Sequence, residues 1–115
     1  MFKKTLPLII IAVIIIVLAV LIFWQKPAQG VTFFYGQECP HCQVVEAYIK
    51  DNNISNKIKI NELEVFHNQD NANQMAGIAK KCGIDTTQLG VPLLWDGTKC
   101  YEGQEEAINF FQQYK

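Results

Sequence analysis

The chain has 115 residues, with 10 Lys or Arg against 11 Asp or Glu and a formal net charge of −1. This near-balance, without a basic patch or an acidic block, gives no sign of nucleic-acid binding or of a charged disordered tail. One apolar segment occupies the N-terminus, and the remainder is long enough for one small core. We therefore expect residues 1–30 to be a cytoplasmic stub, a transmembrane anchor and a short linker, and residues 31–115 to be the folded domain.

The apolar segment runs from Leu6 to Trp24 without a charged residue. A helix of this length spans roughly 28 Å, close to the thickness of the hydrocarbon core of a bilayer. Lys3 and Lys4 precede it and only Lys26 follows closely. The positive-inside rule therefore predicts a single-pass cell-membrane protein with a cytoplasmic N-terminus and an extracytoplasmic domain.

A cleaved signal peptide is the alternative, because Ala28-Gln29-Gly30 offers a small-x-small cleavage site. The domain would then be secreted. The apolar run exceeds the roughly 7–15 residues of a usual signal core, which favours an anchor that is retained. Both interpretations export the domain to a compartment in which disulfides persist.

The elements of the domain follow from periodicity and turn residues. Val31–Tyr35 predicts a buried strand, and Pro40 to about Asp51 predicts a helix that buries Cys42, Val45 and Ile49. Residues 57–66 alternate as a strand does, with a slip at Asn61-Glu62. The next element is a helix capped by Asp70 or Asn71 and ending near Cys82. Two strands follow, over residues 91–95 and 98–101, joined by a turn at Asp96-Gly97. Gly103 then breaks the chain before a final helix over residues 104–114.

The resulting order is βαβαββα. A strand–helix–strand unit implies a parallel pair joined by a right-handed crossover, and the closing hairpin adds two antiparallel strands. The predicted fold class is α/β, a four-stranded mixed sheet flanked by helices and preceded by one transmembrane helix.

The chemistry is predicted at Cys39-Pro40-His41-Cys42, between the first strand and the first domain helix. A thiol at a helix N-terminus faces unpaired N–H groups and the positive end of the helix dipole, which favour the reactive thiolate. We expect Cys39 to attack and Cys42, one turn later, to resolve the mixed disulfide. Pro40 suits the first turn, and a protonated His41 would stabilise the reduced form and make the pair a better oxidant.

Other uses of these cysteines are less consistent with the sequence. A zinc site would need a second pair of ligands at zinc-finger spacing, and c-type haem attachment would need His where Gln43 stands. A purely structural Cys39–Cys42 bridge would close too small a loop to remove much chain entropy. We therefore expect no metal and no cofactor.

The element order, the CPHC motif and the Val91-Pro92 step together resemble the thioredoxin superfamily, as a small membrane-anchored thioredoxin- or glutaredoxin-like domain with a DsbA-like active site. The resemblance implies that Pro92 is cis and packs against the active cysteines, and that Val91 and Pro92 contact substrate. It also implies that Glu46 assists proton transfer near the buried thiol. Gly103 matches the glycine that follows the hairpin in that superfamily.

The chain also departs from its nearest types. The helical insertion of DsbA-like proteins is absent, and the size is closer to that of glutaredoxins. Glutaredoxins usually carry Tyr in the CxxC and a Thr-Val-Pro step, where this chain has His41 and Gly90, so glutathione use is not expected.

Cys82 and Cys100 allow three interpretations, a pair of buried free thiols, a structural disulfide, or a relay that passes electrons to Cys39 and Cys42, and the sequence leaves them open. The aromatic residues are interpreted as core packing, His67 as a loop residue, and Glu38 as a charge facing water or modulating Cys39.

The functional hypothesis is an extracytoplasmic, membrane-anchored thiol–disulfide oxidoreductase acting on protein thiols or disulfides through Cys39 and Cys42. We expect a monomer that a separate membrane redox protein recycles. The alternatives are a reductant or electron carrier for a membrane-proximal client, and a redox-inactive docking module.

Overall fold

The computed structural model describes residues 2–24 and 30–115. The predicted linker, with Lys26 and most of the Ala28-Gln29-Gly30 motif, lies outside the described residues. Helix α1 covers Phe2–Trp24, and its most apolar 18-residue stretch has a mean hydropathy of 3.6 and is not buried. By length and composition α1 could cross a membrane, although a signal sequence would meet the same criterion.

The domain contains four strands and three helices in the predicted order. They are β1 (Val31–Tyr35), α2 (Pro40–Asp51), β2 (Ile60–Glu64), α3 (Gln69–Lys81), β3 (Leu93–Trp95), β4 (Cys100–Glu102) and α4 (Gly103–Gln112). The sheet order is β2-β1-β3-β4, with β1 parallel to β2 and antiparallel to β3, and β3 antiparallel to β4. The predicted four-stranded mixed sheet is confirmed.

Strand β1 supplies both sides of the core, because successive side chains of a strand point to opposite faces. Val31 and Phe33 pack beneath α2 and α4, while Phe34 packs with Met75 of α3 on the other face. All three β1 side chains are buried. A central strand covered on both faces therefore ends in a fixed position, and the loop that leads to Cys39 begins there.

Several predicted boundaries were wrong. Strand β2 is shorter than residues 57–66, because Ile54–Asn56 forms a 3₁₀ turn and Ile58 continues it by donating its N–H to the Ile54 carbonyl at 3.1 Å. Ile54 and Ile58 are nevertheless buried in the core beneath α2. The alternating pattern therefore reported burial correctly but extended the strand through a turn.

The cap of α3 is also different from the prediction. Asn68, rather than Asp70 or Asn71, is the N-cap, and its side chain accepts the N–H of Asn71 at 3.0 Å. Asn71 donates its side-chain amide to the carbonyl of Glu64 at 2.9 Å, so it ties the helix back to β2. The helix ends at Lys81, and Gly83, two residues later, adopts a left-handed φ of 73°.

The closing elements are shifted by one or two residues. Strand β3 starts at Leu93, after Pro92, which has no N–H to give to a strand ladder. Strand β4 runs over Cys100–Glu102, so its start is two residues later than predicted. Gly103, with φ 85°, does not separate the hairpin from the last helix but begins α4, which ends at Gln112 rather than Tyr114.

Cys82 and Cys100 form a disulfide in the structure, joining the end of α3 to β4. Both residues are half-buried at the edge of the sheet. The two cysteines are 18 positions apart in the sequence, so the bond removes substantial conformational freedom from the unfolded chain.

We expect the double substitution Cys82→Ala and Cys100→Ala to lower the free energy of unfolding by about 3 kcal/mol, the chain-entropy value for a loop of this length. Urea unfolding of the full chain in detergent micelles, followed by circular dichroism, measures it. An unchanged midpoint and slope would show that the bond contributes nothing to stability.

Candidate active site

Cys39 is the N-cap of α2 and lies directly after the loop that follows β1. Its φ of −89° and ψ of 111° are extended, and its Sγ accepts the N–H of Cys42 at 3.1 Å. Its own N–H donates to the carbonyl of Gly36 at 3.1 Å. The sulfur thus occupies the position that a capping Ser or Asp oxygen usually takes, beside the positive end of the helix.

The two cysteines are bonded in this structure, with their Cα atoms 5.2 Å apart. Cys42 is fully buried, whereas Cys39 keeps 6% of its surface exposed. An incoming sulfur can therefore approach Cys39 and not Cys42. When the bond opens, the N–H of Cys42 is placed to stabilise a thiolate on Cys39.

Val91 and Pro92 lie against the cysteine pair. The Val91–Pro92 peptide bond is cis, and the carbonyl oxygen of Val91 lies 3.8 Å from Sγ of Cys39. Pro92 is buried, and its carbonyl accepts the N–H of Gly103 at 2.9 Å. This bond joins the loop before β3, which contacts Cys39 through Val91, to the start of α4.

His41 is exposed on the first turn of α2, and its Nδ1 lies 2.9 Å from Oε1 of Gln104 in α4. Because an amide oxygen only accepts hydrogen bonds, Nδ1 is the donor in this contact. The pair connects the N-terminal turns of α2 and α4. His41, Val91 and Pro92 line one groove of about 520 Å³ with the start of α4.

Glu46 lies one turn beyond Cys42 on α2 and is half-buried. Burial, reinforced by the negative charge of Glu62, raises its pKa above the usual range. Burial and then the charge of Glu46 likewise raise the pKa of Tyr35. Glu46 is therefore a carboxyl group that holds a proton to higher pH than an exposed glutamate does.

A second group beside Cys39 was missed by the sequence analysis. Nε2 of His67 lies 2.6 Å from Oε1 of Glu38, the residue before Cys39. The carboxylate of Glu64 accepts the N–H groups of Gln37 at 2.7 Å and of His67 at 2.6 Å. His67 was interpreted as a loop residue and Glu38 as a charge facing water or modulating Cys39; both side chains are exposed, but the bridge that they form between the two loops was not predicted.

The pairing of β1 with β2 explains this bridge. The strands are parallel, so the residues that follow them, at 36–38 and 65–68, meet at one edge of the sheet. A Cβ at Gly36 would overlap the ring of Phe66, so glycine lets the second loop lie on the first. Strand pairing together with two loops rich in polar residues is the signal that could have revealed the contact.

The pKa values of this bridge follow from its hydrogen bonds. The hydrogen bond to Glu38, and then the charge of Glu38, raise the pKa of His67. Burial alone would raise the pKa of Glu64, but the N–H groups of His67 and Gln37 outweigh it and lower that pKa. The ligand atoms of Glu38, Glu64 and His67 lie within 4.8 Å of one another, so these residue types could hold a cation, but they already pair among themselves.

Comparisons with solved structures identify the fold. The chain is similar to a buckwheat glutaredoxin solved in complex with glutathione, with a TM-score of 0.52 and 17% identity over 72% of this chain and 68% of that one. It is similar to reduced glutaredoxin C1 from Populus tremula x tremuloides, with a TM-score of 0.52 and 18% identity over 75% and 68%. Oxidized glutaredoxin 2 from Chlamydomonas reinhardtii gives a TM-score of 0.50 and 16% identity over 72% and 71%.

Neither the models of protein families nor the curated protein sequences give a match to this chain. The structural likeness shows that the domain has the glutaredoxin form of the thioredoxin-like fold. The predicted thioredoxin-like fold is therefore confirmed, and the CxxC pair lies at the N-terminus of α2.

The Glu38–His67 bridge makes a pH prediction. The pKa of His67 is raised in the folded chain. Its pairing with Glu38 therefore stabilises the fold fully at a pH below the ordinary histidine pKa, and this stabilisation is lost as the pH rises through the raised pKa. We expect Glu38→Gln to lower the His67 pKa toward its ordinary value, measured by NMR titration of the imidazole. The control Asp51→Asn removes a carboxylate from the far end of α2 and should leave His67 unchanged. An unchanged His67 pKa in Glu38→Gln would refute the bridge.

Proposed function

We propose that this chain is a thiol–disulfide oxidoreductase that exchanges disulfides with protein thiols through Cys39 and Cys42. The observation that carries the proposal is the placement of the pair: Cys39 caps α2 and its sulfur accepts the N–H of Cys42 at 3.1 Å. The glutaredoxin-like fold of the domain supports it. A thiol at the N-terminus of the helix that follows a strand is also placed where its thiolate form is favoured, as such chemistry requires.

The exchange consists of two substitutions at sulfur. A client thiolate attacks Sγ of Cys39, the Cys39–Cys42 bond breaks, and Cys42 leaves as a thiolate that takes up a proton. A second client thiolate then attacks the client sulfur of the mixed disulfide and releases Cys39 as a thiolate. The client loses two electrons and two thiol protons, and the Cys39–Cys42 disulfide becomes a dithiol. The reverse sequence reduces a client disulfide.

Burial assigns the two sulfurs different roles in this proposal. Only Cys39 is accessible, at 6% exposure against 0% for Cys42, so Cys39 carries the mixed disulfide. Cys42 leaves as a charged group in the core, which is costly unless it is protonated. Glu46, whose pKa burial raises, is the group we assign to that proton transfer.

Val91 and Pro92 are proposed to contact the client. The Val91 carbonyl lies 3.8 Å from Sγ of Cys39, so a chain bonded to that sulfur must pass beside it. Pro40 and His41 are proposed to tune the pair from the first turn of α2, His41 by favouring the Cys39 thiolate when protonated. The glutathione named with the buckwheat relative is not carried over to this chain.

For the location, we propose a single-pass cell-membrane protein in which residues 1–30 anchor the domain of residues 31–115 outside the cytoplasm. Helix α1 has the necessary length and hydropathy, and a second disulfide at Cys82–Cys100 is typical of an oxidising compartment. Secretion after cleavage is the alternative. We further propose that the domain acts as a monomer and that a membrane redox protein resets the pair.

The proposal predicts opposite results for the two single-cysteine variants. When the full chain in detergent, with Cys39 reduced, is mixed with two identical peptides joined by a disulfide, the Cys39 thiolate of Cys42→Ser should attack that disulfide and release one peptide as a thiolate. The other peptide should remain bonded to Cys39 as a mixed disulfide that accumulates, because the resolving sulfur is absent. Cys39→Ser should form none, since Cys42 is buried. Mass spectrometry of tryptic fragments locates the adduct.

The native chain, which turns over without accumulating an adduct, serves as the control for reactivity. An adduct on Cys42 in Cys39→Ser would reverse the assigned roles. No adduct in Cys42→Ser would count against the oxidoreductase and in favour of a docking module.

A further inference from the structure

The groove beside Cys39 has a strongly negative rim. The end of β4 and the start of α4 line it with Glu102, Glu105 and Glu106, and no lysine of the described residues lines it. All three glutamates are exposed. Glu106 Oε2 accepts the backbone N–H of Glu102 at 2.7 Å, which holds that carboxylate at the first turn of the helix.

The positive ends of two helices do not cancel this charge. Helices α2 and α4 both begin at the groove, and each N-terminus contributes roughly half a positive charge. Three carboxylates therefore leave a net negative potential. A groove with walls of low dielectric concentrates such a potential and raises the local concentration of ions of opposite sign.

The topology places the lysines of the domain elsewhere. Helices α2, α3 and α4 start at the sheet edge where β1 and β2 end, so their final turns lie at the opposite edge. The lysines of residues 30–115 follow or end helices there, or precede β2 and β4 at that same edge: Lys50, Lys57, Lys59, Lys80, Lys81, Lys99 and Lys115. The domain is therefore negative at its reactive end and positive at the end where the chain enters β1.

We propose that the client of Cys39 is a cationic protein segment, one with Lys or Arg close to its reactive cysteine. This inference rests on the proposed thiol–disulfide exchange and names its substrate class. The segment would lie along the groove with its sulfur at Cys39 and its positive side chains against Glu102 and Glu105. The covalent steps are the two sulfur substitutions given above, with the same balance of electrons and protons.

The same charge argues against anionic thiols. A thiolate is itself negative, so a client that carries further carboxylates must approach Cys39 against the repulsion of the rim. Flanking Lys or Arg offsets that repulsion and also lowers the pKa of the client thiol, which increases its thiolate fraction. Both effects favour a cationic client over an anionic one.

The test uses three peptides with one dithiol sequence flanked by Lys, by Gln or by Glu, each mixed with the oxidised full chain in neutral detergent. The rate of mixed-disulfide formation and of Cys39–Cys42 opening is measured by acid quench and mass spectrometry. At low ionic strength we expect the Lys peptide to react about tenfold faster than the Glu peptide, the scale of electrostatic steering. Raising the salt concentration should shrink that ratio, because a Debye length is about 10 Å at 0.1 M.

Two variants of equal charge separate the groove from the net charge. Glu102→Gln with Glu105→Gln should remove most of the preference for the Lys peptide. Asp51→Asn with Asp70→Asn, exposed positions on α2 and α3 outside the groove, should retain it. A Lys-to-Glu rate ratio that is as large in the first variant as in the native chain, or that falls equally in both variants, overturns the inference.

The salt dependence of the native chain provides the same test without any substitution. Equal rates for the Lys and Glu peptides at low salt, with the Gln peptide reacting, overturn the inference and leave the proposed function standing. Failure of all three peptides to react overturns the proposed function itself.

Discussion

The unpaired N–H groups at the start of α2 are the constraint on which the site depends. An N-terminus needs an acceptor, and here the acceptor is Sγ of Cys39, which receives the N–H of Cys42 at 3.1 Å. A sulfur in that position is exposed to the helix dipole and is stabilised when it becomes a thiolate. The hydrogen bond that caps the helix in the folded state is thus also the one that favours the thiolate form of Cys39 in the proposed disulfide exchange.

The rest of the fold holds that N-terminus in place. β1 is buried on both faces, so it fixes where the loop of residues 36–38 begins. The bond from Gly103 to the Pro92 carbonyl brings α4 and the loop before β3 to the same edge. The Glu38–His67 bridge secures the third side. Contacts between segments that are distant in sequence therefore hold the residues around Cys39, and the acidic start of α4 lines the neighbouring groove.

Periodicity and turn residues predicted the element order, the mixed sheet and the buried face of α2, because each of those depends on local patterns of burial. The CxxC pair and the Val91-Pro92 step were predictable from motif and resemblance. The boundaries failed where side-chain hydrogen bonds decided them, as at Asn68 and Asn71, or where a turn kept an alternating pattern, as at Ile58. The Glu38–His67 contact and the acidic groove depend on the pairing of strands that are far apart in the sequence. No local sequence pattern predicts that pairing.

The reduction potential of the Cys39–Cys42 pair tests the central claim most directly. The full chain is equilibrated with glutathione redox buffers, and alkylation with peptide mapping distinguishes this pair from Cys82–Cys100. We expect a two-electron transition between about −120 and −270 mV, the range of exchanging proteins. Within it, about −120 to −180 mV assigns a disulfide donor or isomerase, and a value near −270 mV assigns a reductant and removes the role given to His41. A potential below about −300 mV is typical of a structural disulfide and would contradict the account.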